Sequence, residues 1–172
     1  AARRFVDRFA EGAVYKAVSG LRSHVRRVDE ELFDRLDEGT TPVVLQRYVA
    51  GTDVRVHTIG RRAFATEITS AAVDYRFDSA PPAYRVVDVP QALVQRCAAA
   101  AAADGLELAG FDFRRSPDGA WWCLEMNPVP TFLPYEAATG HPIGDAIIDH
   151  LLGCGPTTGR SPLASMLAAG SG

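Results

Sequence analysis

The stretch from residue 110 to residue 128, GFDFRRSPDGAWWCLEMNP, constrains this chain more than any other. Ser116-Pro117-Asp118-Gly119 is turn chemistry, because proline presets one dihedral and glycine accepts a positive φ. An alternating run flanks it on each side, the pattern of an antiparallel hairpin. Side chains along a strand alternate with a period of two. With a four-residue loop, Arg115 faces Ala120, Phe113 faces Trp122 and Asp112 faces Cys123. One face then holds Phe111, Phe113, Trp122, Leu124 and Met126, which is a core face. The other holds Asp112, Arg114, Trp121, Cys123, Glu125 and Asn127, with Glu125 diagonal to Asp112 and within reach of it. The assignment depends on the loop, since a slip of one residue turns Asp112 to the opposite side. Two carboxylates and an amide oxygen on one face suit a hard cation, and Mg²⁺ commonly takes one or two carboxylates together with substrate phosphates. The same pattern describes an ordinary solvated face of an antiparallel sheet, and spacing alone does not separate the two.

Bulk properties remove several function classes. The chain has 172 residues and is 47% hydrophobic, enough for one domain or two small lobes with a real core. The net charge of −3 argues against a general nucleic-acid binder. No apolar run is long enough to span a membrane, and no signal-peptide pattern opens the sequence. It starts at Ala1 and reads as a piece of a longer protein. Cys97, Cys123 and Cys154 form no CxxC pair, so the thiols read as reduced, cytoplasmic ones rather than as a zinc knuckle or disulfide framework. His24, His57, His141 and His150 are scattered without metal-ligand spacing. Of the 18 basic residues only Lys16 is a lysine. It follows Tyr15 rather than glycine, which excludes a Walker A loop; GxGxxG and the kinase His-Arg-Asp are absent as well.

Along the chain, residues 12–18 (GAVYKAV) predict a short strand carrying Lys16. Residues 29–36 predict a short helix with acids in its first turn, and residues 43–49 (VVLQRYV) a buried strand. Residues 53–59 and 63–68 predict a hairpin around Gly60-Arg61-Arg62. Residues 69–89, with Pro81-Pro82, read as an irregular, mobile connection of the kind that is more often functional than idle. Residues 90–103 predict a helix with Pro90 in its first turn, an alanine run of high helix propensity and Gly105 as its stop. A proline-broken loop follows the acidic hairpin, then a second helix near residues 143–152. Residues 154–172 are rich in Gly, Ser and Pro and read as a disordered tail.

This order resembles the C-terminal two-thirds of an ATP-grasp ligase over residues 12–152. Three stretches carry the resemblance: LAGFDFRRSPDGAWWCLEMNPVPTF, similar to the family's Asp strand followed by Glu-x-Asn-Pro; VVLQRYVAGTDVRVHTIGRRAFATEI; and ATGHPIGDAIIDHLL. The resemblance implies an α+β ATP-grasp fold of antiparallel sheets flanked by helices, lacking the family's N-terminal domain and its first lysine-bearing segment. Residues 1–49 would be the remainder of the small lobe, ending at the hinge strand. Residues 50–153 would be the C-terminal lobe with the metal-binding hairpin, and 154–172 the tail. ATP and Mg²⁺ are the implied cofactors, with Mn²⁺ as a substitute. Carried over by position, Asp112, Glu125 and Asn127 would hold Mg²⁺ against the β- and γ-phosphates, and Lys16 would neutralise nucleotide phosphate. Gln46, Arg47, Tyr48 and Val49 would form the hinge against adenine, largely through backbone groups. Asp53 would contact ribose or support the hinge. Arg55 and Arg76 would stabilise the transferring phosphate, with Arg76 on the long loop the stronger candidate.

The implied chemistry has two steps. A carboxylate attacks the γ-phosphate to give an acyl phosphate and ADP, and an amine or hydroxyl then displaces phosphate. ATEITSAAVDYRF and the short AVSGLRSHVRRV after Lys16 are similar to RimK-type enzymes and to ring-closing maturases of ribosomal peptides. The expected substrates are therefore small-molecule or peptide carboxylates and amines in the cytoplasm, with no nucleic acid, no membrane and scope for a homo-oligomer. Two other readings stay open at this point. One is a non-catalytic module of the same fold that binds nucleotide or a peptide. The other is a basic-surface binder built on Arg22, His24, Arg26 and Arg27, against which the acidic total counts.

Overall fold

A computed structural model describes residues 2–9, 11–18, 25–37, 42–70 and 80–153. The chain divides into two compact units, one of Ala1–Thr52, Thr69–Ala83 and Arg115–Ala120, the other of Asp53–Ile68, Tyr84–Arg114 and Trp121–Gly172. Arg76 and the 154–172 tail lie outside the described residues.

The first unit holds a three-stranded sheet in the order β2-β1-β3, with β1 Ala13–Ala17, β2 Arg26–Arg27 and β3 Val43–Arg47. Two short helices accompany it, α1 Ala2–Val6 and α2 Glu30–Asp37. Asp29 caps α2 by accepting the Leu32 N–H at 2.8 Å, as its position before the acidic first turn suggests. Arg3 of α1 reaches Glu30 at 2.8 Å and lies 4.5 Å from the Phe33 ring. Both pairings of β1 are antiparallel: Lys16 lies opposite Val44, and Val14 lies opposite both Gln46 and Arg27. Alternation therefore puts Lys16, Val44, Gln46 and Arg27 on one face. Ala13, Tyr15, Leu45 and Arg47 take the other, where the Arg47 guanidinium lies 5.7 Å from the Phe9 ring.

The second unit holds a five-stranded sheet in the order β6-β5-β4-β7-β8. Its strands are β4 Thr52–Ile59, β5 Arg62–Thr69, β6 Ala83–Val86, β7 Leu108–Arg115 and β8 Trp121–Asn127. Its helices are α3 Gln91–Ala103, α4 Leu133–Thr139 and α5 Ile143–Leu151. One sheet face packs on α3: Val54, Val56, Ala65, Ala109, Phe111 and Phe113 close a core with Cys97 and Ala101. Truncating either phenylalanine to alanine there would cost about 3–5 kcal/mol.

Three expectations are corrected. β4 and β5 pair antiparallel from Asp53–Ile68 to Ile59–Arg62, so the loop is Gly60-Arg61 and Arg62 is already strand. The connection over 69–89 contains β6, whose Arg85 reaches Glu67 at 2.6 Å. The proline-broken loop contains α4: Pro134 stands in its first turn, where a missing N–H removes no helical bond.

The acidic hairpin departs from its expected register. Gly119 N–H donates to Ser116 O at 2.8 Å, and Ser116 N–H donates to Ala120 O at 2.9 Å. Gly119 has φ of 85°, the left-handed conformation that closes a three-residue loop with a bulge. Ser116, not Arg115, faces Ala120. Trp121 accordingly packs edge-on against Phe113 with centroids 5.9 Å apart, and Trp122 is 41% exposed, the reverse of the expected sorting. Met126 also packs on the core. Glu125 and Asn127 flank Met126 on β8, and alternation about Met126 turns both away from the core that it packs on. The expected register fails at the turn.

Candidate functional site

On β4, Asp53, Arg55 and His57 recur every second residue and share the face that turns away from Val54 and Val56. On β7, Gly110, Asp112 and Arg114 do the same. The two rows meet in ion pairs. Arg55 forks onto Asp112, Nε to Oδ1 at 2.5 Å and Nη2 to Oδ2 at 2.9 Å. These side chains are only 10% and 22% exposed, so the pair acts at close quarters with little screening. Arg114 reaches Asp53 at 2.9 Å. The Arg55 guanidinium lies 5.4 Å from the Tyr135 ring, which α4 supplies. Of the sequence-predicted residues, Arg55 and Asp112 are thus brought together, and Asp53 is held by an arginine.

Next in the same row, His57 is fully buried. Its ring meets Tyr135 edge-on at 5.0 Å, and Nε2 lies 3.1 Å from Thr131 O. Burial pushes its pKa down from 6.5 to about 4; the Thr131 carbonyl opposes this, and the charges of Arg55 and His141 reinforce it. The ring is therefore neutral near pH 7. The bond to a carbonyl assigns the proton to Nε2 and leaves Nδ1 an acceptor, which has no partner among the described residues.

Glu125 and Asn127 lie on β8, the strand next to β7. Partial burial raises the Cys123 thiol first and the Asp112 carboxylate adds to this; the Glu125 carbonyl opposes it more than the Glu125 carboxylate reinforces it. Asn127 Oδ1 accepts the Val129 N–H at 2.9 Å. Pro130 sits over Gly110, where an added Cβ would come within 2.6 Å of the Pro130 Cβ. The carboxylates of Asp112 and Glu125 and the amide oxygen of Asn127 are hard donors, each with more than one acceptor direction, of the kind that Mg²⁺ takes. Among the described residues no three of His, Cys, Asp and Glu gather into a metal cluster.

In the first unit, alternation places Lys16 and Gln46 on one face, and Tyr48 follows β3. Tyr48 N–H donates to Gly12 O at 3.1 Å, and the Arg27 guanidinium lies 3.8 Å from the Tyr48 ring. Val49 is 8% exposed. Arg47 turns to the Phe9 side, so only its backbone is available to the Lys16 face. Arg22, His24 and Arg76 lie outside the described residues. His57 and Tyr135 were not singled out from the sequence, and Arg27 was expected only as part of a basic surface. His57 had a usable signal in its two-residue spacing from Arg55, while Tyr135 depends on contacts distant in sequence.

No family model matches the sequence, and no curated protein matches it. Solved structures do. The ATP-grasp ligase PsnB, complexed with minimal precursor, Mg and ADP, is similar at a TM-score of 0.71 and 27% identity, over 86% of this chain and 49% of that one. The macrocyclase MdnC from Microcystis aeruginosa MRC, bound with precursor peptide MdnA, matches at a TM-score of 0.71 and 23% identity, over 88% and 51%. A RiPP-associated ATP-grasp ligase of Chryseobacterium gregarium, in complex with ADP and a leader and core peptide, matches at 0.72 and 18%, over 92% and 53%. The chain spans about half the length of these proteins. Among the described residues no helix is long and apolar enough to cross a membrane. The fold, the acidic hairpin and these likenesses agree: the chain has the C-terminal part of the ATP-grasp ligase fold, in its peptide-maturase-like form.

Proposed function

We propose that this protein is an ATP- and Mg²⁺-dependent ligase that activates a carboxylate of an amino acid or peptide as an acyl phosphate, for attack by an amine or hydroxyl. The observation that carries the reading is the Arg55–Asp112 fork, a guanidinium set on a hard oxygen donor, in a sheet whose next strand carries Glu125 and Asn127. Asp112, Glu125 and Asn127 hold Mg²⁺, or Mn²⁺ in its place. The bound cation supplies neutralisation of phosphate charge. Lys16 adds a positive charge for nucleotide phosphate. The hinge is the run from Gln46 to Val49, which meets adenine largely through backbone groups; the Tyr48 amide donates to Gly12 O. Asp53, paired with Arg114, contacts ribose or supports the hinge in this reading. Arg55 offers its guanidinium to the transferring phosphate, and Arg76 joins it. Positioning and charge management suffice for such a transfer, so no enzyme nucleophile is needed. A peptide substrate is favoured by the likeness to ligases bound to precursor peptides.

The test is a hydroxylamine trap. Protein, ATP, Mg²⁺ and a glutamate- or aspartate-containing peptide are mixed with hydroxylamine, and hydroxamate and ADP are measured. Hydroxamate that depends on Mg²⁺ and is lost in Glu125→Gln is the expected result. ADP release without hydroxamate removes the acyl phosphate. Nucleotide binding with neither product leaves a non-catalytic binding module.

A further inference from the structure

We propose that His57 is a positioning residue: it holds the segment that follows Asn127 and, through Tyr135, the Arg55–Asp112 fork, in the geometry the cation needs. The inference rests on the metal assignment above and extends it to a residue with no expected role.

The segment after Asn127 is fixed at three points. Asn127 Oδ1 accepts the Val129 N–H at 2.9 Å. Pro130 seats on Gly110, where a side chain would clash. His57 Nε2 meets Thr131 O at 3.1 Å. The first anchor is made by the proposed ligand itself and shares its oxygen with the cation. The second is steric and carries no direction. The third is a directional bond from another strand, and it fixes where the segment leaves β8 without drawing on the ligand set.

The same imidazole reaches the other side of the site. Its ring meets Tyr135 edge-on at 5.0 Å, and Tyr135 lies 5.4 Å from the Arg55 guanidinium carbon and 5.3 Å from the Tyr84 ring. One fully buried side chain thus touches both the segment beyond Asn127 and the aromatic ring under the arginine that grips Asp112. A packing role alone is served better by phenylalanine. That ring fills the same plane without burying an acceptor, whereas His57 Nδ1 and the Thr66 Oγ1 on the same sheet face both lack a partner among the described residues. What the imidazole adds over phenylalanine is the Nε2–H bond to Thr131. Groups behind metal ligands commonly govern affinity by about 10–100-fold.

Two variants separate positioning from packing. His57→Phe keeps the ring and removes the bond. His57→Gln places an amide N–H where Nε2–H stood and should restore it. Mn²⁺ binding in the presence of ADP is read by electron paramagnetic resonance, alongside melting temperature and amide exchange. The expected result is a loss of about tenfold in Mn²⁺ affinity in H57F, with H57Q within about twofold of the parent. ADP affinity without metal should be unchanged, and faster exchange should be confined to residues 129–133. His57→Met replaces H57F if phenylalanine is not accommodated. Parental Mn²⁺ affinity in a folded H57F or H57M overturns the inference alone. Absence of Mn²⁺ binding in the parent protein overturns the metal assignment and the inference with it.

Discussion

Asp112→Asn and Glu125→Gln remove one charge each from the same ligand set, yet their structural consequences should differ widely. Asp112 holds Arg55 through two charged hydrogen bonds at 2.5 and 2.9 Å, with the arginine side chain only 10% exposed. Removing one partner of a buried pair typically costs about 3–5 kcal/mol. Asp112 is 22% exposed and asparagine keeps one acceptor oxygen, so the lower end applies, about 3 kcal/mol. The remaining amide N–H₂ would face a guanidinium N–H, donor against donor. For a chain of this size that loss corresponds to a fall of about 6–12 °C in Tm. Glu125 is exposed, and its replacement by glutamine should change stability by no more than about 0.5 kcal/mol. The assay is thermal melting without ligand, followed by Mn²⁺ binding on the same samples: both variants lose the cation, and only D112N loses stability. Arg55→Met in the D112N background should recover part of the loss, because the uncompensated charge goes with it. D112N melting within about 2 °C of the parent, or a double variant as unstable as the sum of its parts, would refute the reasoning.

Other expected outcomes follow from single residues. His57 has a folded pKa of about 4 against 6.5 for the free ring, so between these values the unfolded chain binds the extra proton and stability falls as pH falls. The contribution present above pH 6.5 and lost on acidification to pH 4 is about 3 kcal/mol at most. H57F should show a shallower acid limb in urea melts across that window, and an identical limb would remove His57 as its source. Gly110→Ala brings a Cβ within 2.6 Å of Pro130 and 3.2 Å of Arg55 Nη1, and should cost about 1–3 kcal/mol by overpacking together with weaker Mn²⁺ binding. Lys16→Ala should leave the ligand-free Tm within about 2 °C and lower ATP affinity at saturating Mg²⁺, as read by calorimetry; an unchanged affinity would take Lys16 out of the nucleotide site.

The hairpin was legible because Ser-Pro-Asp-Gly between alternating runs has few other readings. Its register was not. Whether Gly119 lies inside a three-residue loop or a four-residue one changes which tryptophan turns inward, and Trp121 and Trp122 are chemically identical, so hydrophobic sorting has nothing to choose between them. The shared face of Asp112, Glu125 and Asn127 was reached by assuming a four-residue loop, and the three-residue loop removes that basis. Pro134 and Pro81-Pro82 read as breakers and hid α4 and β6, since a proline in a first helical turn or ahead of an outer strand interrupts no bond. Strand alternation separated Gln46 from Arg47 correctly in principle, but a motif carried over as a block of four did not use it. The stack of His57, Tyr135 and Arg55 joins elements far apart in sequence, and no local pattern reports such a meeting.

The most direct measurement is the melting temperature with ATP, with Mg²⁺, with both and with neither, on the parent chain and on Glu125→Gln. A ligand that binds only the folded state stabilises it by about 2.7 kcal/mol at a hundredfold excess over Kd, a rise of about 5–11 °C here. The rise should require both components in the parent chain and be absent from E125Q. No rise with both present, or an equal rise in E125Q, would contradict a nucleotide–metal site built on the acidic hairpin.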